Sequence, residues 1–119
     1  MRKLTVEEVN EKLEQHKLWL ADRSQGKRFD ASDCYFTKEV NFEEQDLRMA
    51  IFTRSSCEEK SFRGADLRGA DFRWANASRS DFRGANCNRA DFYWANLFRS
   101  SFLGTKGKWR SAGAICGGW

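Results

Sequence analysis

Apolar residues recur at every fifth position through the second half of the chain. Residues 60–104 divide without a gap into nine units of five, and the third place of a unit is Phe or Leu in seven of them. The first place is Ala or Ser in eight units, and the second is always Asp, Asn or Ser. A period of five fits neither the roughly 3.6 residues per turn of a helix nor the alternation of a strand. It predicts a solenoid, in which each unit buries its apolar residue against copies stacked above and below.

A longer period of twenty residues lies within the repeat once the frame is extended back to Val40. Phe recurs at this spacing in two sets of third places, with smaller residues in the two sets between them. The sets are Phe42, Phe62, Phe82 and Phe102; Leu47, Leu67 and Cys87; Phe52, Phe72 and Phe92; and Cys57, Ala77 and Leu97. Positions twenty apart are therefore expected to stack as four interior files, which would fill a narrow core without voids.

The units resemble the pentapeptide-repeat family, whose consensus is Ala-Asp/Asn-Leu/Phe-X-X. Ala65 to Gly69 reads ADLRG, and Ala70 to Trp74 reads ADFRW. The resemblance implies an all-β solenoid: a right-handed quadrilateral β-helix of about four coils, with four pentapeptides in each coil. It also implies that the first and third places point inward and the other three point outward.

Segments outside the repeat divide the chain into three parts. Residues 1–26 are predicted to form a capping α-helix, spanning Leu4 to Asp22, because Thr5 and Glu8 form a capping-box pattern. Residues 27–104 form the predicted β-helix, with a break around 35–39 that is either a bulge or a presented loop. Residues 105–119 have no clear period, and they are an end cap, a dimer contact or a disordered tail.

Composition argues against several functional classes. The chain has a net charge of +4 but one histidine, His16, in the predicted helix, and it contains no Ser/His/Asp or Cys/His set. Its four cysteines form no C-x-x-C pair, so Cys57 and Cys87 are interpreted as reduced core residues. No apolar run is long enough to span a membrane. We expect a cytoplasmic protein that is not an enzyme and needs no cofactor or metal.

Two aromatic residues stand at outward positions twenty residues apart. Trp74 and Trp94 follow Arg54 in one fifth-place column, beside Arg73 and Tyr93 in the fourth place. Trp, Tyr and Arg are enriched in binding hot spots, and an arginine over an aromatic face adds cation–π attraction. This corner is either a partner-binding surface or a stack that only stiffens the rod.

Acidic residues are in excess in the first half of the chain, and basic residues are in excess in the second half. Residues 1–59 hold ten basic and thirteen acidic residues, whereas residues 60–119 hold eleven basic and four acidic residues. Glu43 with Arg63, and Glu59 with Arg79, are expected ion pairs between coils. The second-place aspartates are expected to accept hydrogen bonds from turn amides. The remaining outward cations form a predicted basic surface of Arg63, Arg68, Arg79, Arg83, Arg89 and Arg99.

The resemblance suggests a protein-binding role. Some pentapeptide-repeat proteins are acidic DNA mimics, but only one acidic patch here could imitate phosphates: Glu39, Glu43, Glu44, Glu58 and Glu59. By family analogy, the leading hypothesis is a bacterial or phage inhibitor of a nucleic-acid-processing complex, such as a CRISPR effector or a topoisomerase. The alternatives are direct nucleic-acid binding through the outward arginines and a purely structural domain. A homodimer through the C-terminal end is a further expectation.

Overall fold

The structure is a computed structural model that describes residues 1–117. Its main feature is a set of parallel backbone bridges between residues twenty apart, with one bridge every five residues. They run, for example, from Asp46 to Asp66, from Ile51 to Asp71, from Ser56 to Asn76 and from Ser61 to Asp81. One coil therefore takes twenty residues and four units, and successive coils stack as the repeat predicted.

The third-place side chains form the core. Those between Phe42 and Leu97 are all at most 1% exposed. Phe62 stacks on Phe42 and Phe82 with ring centroids 5.1 and 5.0 Å apart, and its edge meets Phe72 at 5.4 Å. Phe102 is half-buried and stacks on Phe82. The predicted interior files are confirmed.

Fourth and fifth places form the turns between units, and the turns also stack in four files. We name these files by their residues: turn A (43–44, 63–64, 83–84, 103–104), turn B (48–49, 68–69, 88–89), turn C (53–54, 73–74, 93–94) and turn D (58–59, 78–79, 98–99). Every fifth place in them has a positive φ, including those occupied by Glu, Met, Arg and Trp. The same turn geometry therefore holds both where glycine occupies the fifth place and where it does not.

Helix α1 (Val6–Ala21) lies at the N-terminal end of the core. Thr5 is its N-cap: the Thr5 side chain accepts from the Glu8 amide, and the Glu8 side chain accepts from the Thr5 amide. The predicted capping box is confirmed. Gly26 has φ 60°, and no side chain would fit there because a Cβ would lie 2.3 Å from the Gln15 carbonyl oxygen.

Entry into the solenoid uses the strands β1 (Arg2–Leu4) and β2 (Cys34–Phe36), which pair in parallel. Bridges from Asp30 to Ile51 and from Tyr35 to Ser56 span 21 residues, so the frame gains a single residue before Val40. The break predicted around 35–39 therefore corresponds to one extra residue in the coil. Phe36 is buried in the register position next to Cys57, whereas Tyr35 is exposed.

At the C-terminal end, the coil continues beyond Gly104. Bridges join Asn86 to Lys106, Asp91 to Arg110 and Asn96 to Ile115, and the spacing falls from twenty to nineteen residues. The loss of one residue explains why the five-residue frame stops at Gly104. Trp109 packs on Phe102 with ring centroids 5.3 Å apart, whereas Ile115 is exposed. Trp119, the last residue of the predicted end cap or dimer contact, lies outside the described residues.

Candidate interaction surface

Four of the outward arginines are held by aspartates two residues earlier in the same unit. Asp81 accepts from the Arg83 amide at 3.0 Å, and its two oxygens accept from the Arg83 guanidinium at 2.9 and 2.7 Å. The Arg83 guanidinium lowers the pKa of the Asp81 carboxyl. The sequence Asp-Phe/Leu-Arg therefore builds a turn and an ion pair together, a unit that we call the Asp-x-Arg fork. It occurs at Asp46–Arg48, Asp66–Arg68, Asp71–Arg73 and Asp81–Arg83.

Turn C carries two exposed tryptophans. The rings of Trp74 and Trp94 are nearly parallel, with centroids 5.5 Å apart and an interplanar angle of 9°. Each residue is 57% exposed. Gly113 continues the column, and a Cβ there would come within 2.5 Å of the Trp94 indole. Glycine at this position lets the last coil pass close to the face of the ring.

The other residues predicted for this surface are already engaged by the chain itself. Arg54 donates to both carboxylate oxygens of Asp33 at 2.8 and 3.0 Å, and Arg73 belongs to a fork with Asp71. Tyr93 is half-buried. No guanidinium stacks on either turn C indole among residues 1–117, because Arg54 and Arg73 point to their carboxylates. Cation–π contacts occur instead at Trp19, with Arg23 and Arg28, and at Phe98, with Arg99.

The predicted acidic patch spreads over two consecutive turns. Glu43 and Glu44 lie on turn A, Glu58 and Glu59 lie on turn D, and Glu39 precedes Val40. Glu43 accepts from the Ser61 hydroxyl at 2.8 Å, and the Glu44 carboxylate fills the space that Gly64 leaves. Arg79 pairs with Glu58 at 3.2 Å, so the predicted Glu59–Arg79 pair was wrong. Among the described residues, no Glu43–Arg63 ion pair forms either.

The predicted basic surface separates into two groups. Arg68, Arg79 and Arg83 are in ion pairs with carboxylates. Arg63, Arg89 and Arg99 have no carboxylate within 4.0 Å in the part of the chain that the structure describes. Arg99 lies over the ring of Phe98, Arg63 lies on turn A, and Arg89 lies on turn B. Counting arginines in the sequence therefore overstates the free positive charge and misplaces it.

Titratable groups in the interior have structural partners. His16 is fully buried; its Nδ1 accepts from the Phe29 amide at 2.8 Å, and its Nε2 lies 2.9 Å from the Arg48 carbonyl oxygen. Burial lowers the pKa of His16 and raises the pKa of Cys57 and Cys87 to about 12. Residues 1–117 contain no His, Cys, Asp and Glu group that could hold a metal ion. They also contain no helix long and apolar enough to cross a membrane.

One structural contact escaped the sequence reasoning. Lys60 occupies a first place, where Ala or Ser is usual, and it is buried. Its Nζ donates to the carbonyl oxygens of Thr37 and Lys38 at 2.7 and 3.4 Å. Lys60 thus holds the segment in which the frame gains a residue. The departure from Ala or Ser at residue 60 was the signal that could have revealed it.

Comparisons with known proteins agree with this architecture. A family model for pentapeptide repeats matches in eight copies, over residues 38–76, 52–84 and 78–106. A pentapeptide repeat protein from Nostoc, alr5209, superposes with a TM-score of 0.64 at 20% identity, covering 87% of this chain and 93% of its own. The Arabidopsis thaliana thylakoid lumen pentapeptide repeat protein AT2G44920 superposes with a TM-score of 0.52 at 27% identity, covering 72% of this chain and 57% of its own.

A search of curated proteins found no match. The family model nevertheless covers more than half of the chain, and the matched residues coincide with the stacked coils. Both structural neighbours are pentapeptide repeat proteins with a β-helix solenoid fold. The chain therefore belongs to the pentapeptide repeat family.

Proposed function

We propose that this chain is a non-enzymatic protein-binding module whose contact surface centres on Trp74 and Trp94 in turn C. The observation that carries the proposal is the stacking of two indoles, each 57% exposed, on a hydrogen-bonded turn. The Trp74 amide donates to the Tyr93 carbonyl, and the Trp94 amide donates to the Ala112 carbonyl. The rings are thus attached to a backbone that needs no rearrangement, which reduces the entropy lost on binding.

The surroundings of the indoles support a protein partner. Exposed tryptophans become binding hot spots when a partner removes them from water, and the best sites have a polar rim. Here the Arg54–Asp33 pair and the Arg73–Asp71 fork supply charged groups beside the rings. Neither indole nitrogen donates a hydrogen bond to another residue between 1 and 117. Each is therefore available to a carbonyl or carboxylate of the partner.

A component of a nucleic-acid-processing complex is the partner class that we propose. This choice rests on analogy with other pentapeptide repeat proteins and not on a contact in this structure. Occupation of a working surface on such a complex would make the protein an inhibitor. Of the two turns that carry the acidic patch, only turn D is adjacent to turn C, so the patch would not lie at the contact centre.

We further infer that the solenoid takes the right-handed quadrilateral form, with α1 as its N-terminal cap. Four bridge ladders in each twenty-residue coil support the four-sided form. The contacts of His16 with Phe29 and Arg48 support the capping role, since they join the helix to the first coils.

The test compares two double variants with the wild-type protein. Trp74→Ala with Trp94→Ala removes the proposed anchors. The matched control, Phe98→Ala with Leu103→Ala, removes two exposed apolar side chains from turns D and A. Each protein is immobilised, incubated with a bacterial lysate and washed, and retained proteins are identified by mass spectrometry. We expect a partner that the wild type and the control retain and the tryptophan variant loses, with unchanged circular dichroism.

Equal retention by the tryptophan variant would contradict the proposal. If that variant also unfolded at a clearly lower temperature, the indole stack would be assigned a purely structural role.

A further inference from the structure

A basic groove runs along turn B and the bridge ladder beside it. Its volume is about 560 Å³, and it is open to solvent. Five basic and two acidic side chains line it, giving a net charge of +3. The basic residues are Arg28, Arg73, Arg89, Lys108 and Arg110. A groove with this excess of positive charge concentrates anions from solution.

The two acidic residues in the groove are satisfied within the chain. Asp71 is held in the fork by Arg73, with the Arg73 Nη2 2.8 Å from its Oδ2. Asp91 accepts from the Tyr93 amide at 3.0 Å, and its Oδ2 lies 4.0 Å from the Arg73 Nε. Arg73 therefore serves both carboxylates, and the other four cations in the groove are left to act on an external anion.

Those four cations have no carboxylate within ion-pair distance among residues 1–117. The Nε of Arg28 donates to the Met49 carbonyl, which leaves its terminal nitrogens available. Arg89, Lys108 and Arg110 project from the last two coils, and no carboxylate pairs with them there. Elsewhere on the rod, Arg54, Arg79 and Arg83 are neutralised.

A second groove extends the basic surface toward α1. Arg23, Arg48, Arg68 and Arg89 contribute to its lining, and Arg89 belongs to both grooves. Arg48 and Arg68 are engaged by their fork aspartates, so Arg23 and Arg89 provide the free charge. Together the two grooves form a basic strip that runs from Arg28 to Arg110. These residues are separated by four coil spacings of about 4.8 Å, so the strip is about 19 Å long.

We propose that this strip, centred on Arg89, Lys108 and Arg110, binds the phosphate backbone of a nucleic acid. Guanidinium groups form paired hydrogen bonds with phosphate oxygens, and a row of them suits a row of phosphates. The groove lacks an exposed aromatic anchor of the kind that protein partners use, since Trp109 already packs on Phe102. Binding would therefore be mainly electrostatic, independent of base sequence and sensitive to salt.

This proposal is separate from the tryptophan surface and narrower than binding through all outward arginines. Of the arginines in the predicted basic surface, only Arg89 contributes free charge to the strip. The forks and the Arg79–Glu58 pair account for Arg68, Arg83 and Arg79. Arg63 and Arg99 belong to turns A and D.

The experiment measures fluorescence anisotropy of labelled 20-nucleotide single-stranded DNA and of a 20-base-pair duplex, titrated with full-length protein. For three phosphate contacts, affinity should fall about 20- to 40-fold between 50 and 200 mM salt. The triple variant R89Q/K108Q/R110Q should lose most of this binding. The matched control R63Q/R79Q/R83Q makes the same change in net charge on turns A and D and should bind like the wild type.

Three outcomes would overturn the proposal: no salt-dependent binding of either DNA, equal weakening by both triple variants, or equal competition by poly-glutamate and by unlabelled DNA. The last result would assign the strip to acidic proteins. Circular dichroism establishes that each variant is folded. Trp74→Ala with Trp94→Ala should bind DNA normally, so failure of either proposal is distinguishable from failure of the other.

Discussion

At the scale of single residues, the fifth place of each unit has the most restricted backbone conformation. Among residues 1–117, ten that are not glycine adopt φ between 56° and 65°, and nine of these occupy fifth places. The left-handed region costs an L-residue roughly 1–2 kcal/mol. The amides at these places donate across coils, as Arg79 does to Phe98 and Arg89 to Lys108 at 2.8 Å. Turn hydrogen bonding therefore maintains a conformation that most side chains would avoid.

Gly84→Ala tests this restriction without a steric collision. A Cβ at Gly84 would meet no atom closer than 3.9 Å, so backbone strain is the main change. We expect the free energy of unfolding, measured by urea denaturation, to fall by about 1 kcal/mol. Gly84→Asn is the control and should lose less, because Asn tolerates the left-handed region better. An alanine variant as stable as the wild type would show that the turn relaxes.

At the scale of elements, His16 joins α1 to the solenoid as a neutral imidazole. Its Nδ1 accepts from Phe29, so the ring proton is assigned to Nε2, which donates to Arg48. Burial lowers its pKa, and the charges of Arg28 and Arg48 act in the same direction, whereas the hydrogen bond to the Arg48 carbonyl and the charge of Asp46 oppose them. Protonation of Nδ1 would remove the acceptor for the Phe29 amide.

The pH dependence of stability follows from this lowered pKa. Unfolded His16 gains a proton near pH 6.5, before the folded state does. The unfolded state then binds more protons, so the free energy of unfolding should decrease as pH falls through about 6.5, until the folded pKa is reached. Chemical unfolding between pH 7.5 and about 5 measures this slope. Carboxylates such as Asp81, whose pKa is also lowered, lose their contribution nearer pH 4.

His16→Gln is the control for this pH effect, because glutamine does not titrate. Its stability should be nearly independent of pH in the same window, whatever its absolute value. A wild-type protein with no slope between pH 7 and 5.5 would contradict the assignment.

Lys60 makes a second contact between elements, because it binds the segment through which β2 leads into the regular coils. Lys60→Ala would restore the usual first-place residue, so the repeat pattern alone predicts a neutral or stabilising change. The structure predicts the opposite, since the Thr37 carbonyl would lose the charged one of its two donors and keep only the Val40 amide, at a cost of about 1–3 kcal/mol. Urea denaturation gives the magnitude, and hydrogen exchange should show faster opening of residues 36–40. Increased stability would show that water replaces the ammonium group.

These contacts show where sequence reasoning succeeds for this chain and where it fails. Each third place is surrounded by copies of itself, so the spacing of Phe42, Phe62 and Phe82 was sufficient to predict their stacking. His16 finds a partner 32 residues away, a separation outside the repeat, and Lys60 reaches into the segment where the frame gains a residue. The Asp-x-Arg forks were partly predictable, because this spacing recurs in the sequence. Which arginines have no carboxylate partner became clear only from the ion pairs in the structure.

At the scale of the whole molecule, the phenylalanine files couple neighbouring coils. Phe62 contacts Phe42 and Phe82 in its own file and Phe52 and Phe72 in the facing file. Stacked parallel rings alternate with edge contacts, both of which are favourable aromatic geometries. In a solenoid, each coil is stabilised by its neighbours, so an interior coil depends on two interfaces and a terminal coil on one.

Phe62→Ala and Phe102→Ala test this coupling. Phe62 is fully buried between two coils, and its loss should reduce the free energy of unfolding by about 3–5 kcal/mol. Phe102 is half-buried in the last coil, so its loss should have a smaller effect. Hydrogen exchange should then show faster opening on both sides of residue 62 in the first variant and only near the C-terminal coil in the second. Equal losses would contradict the model of nearest-neighbour coils, since the position of a ring in the stack would then have no influence on stability.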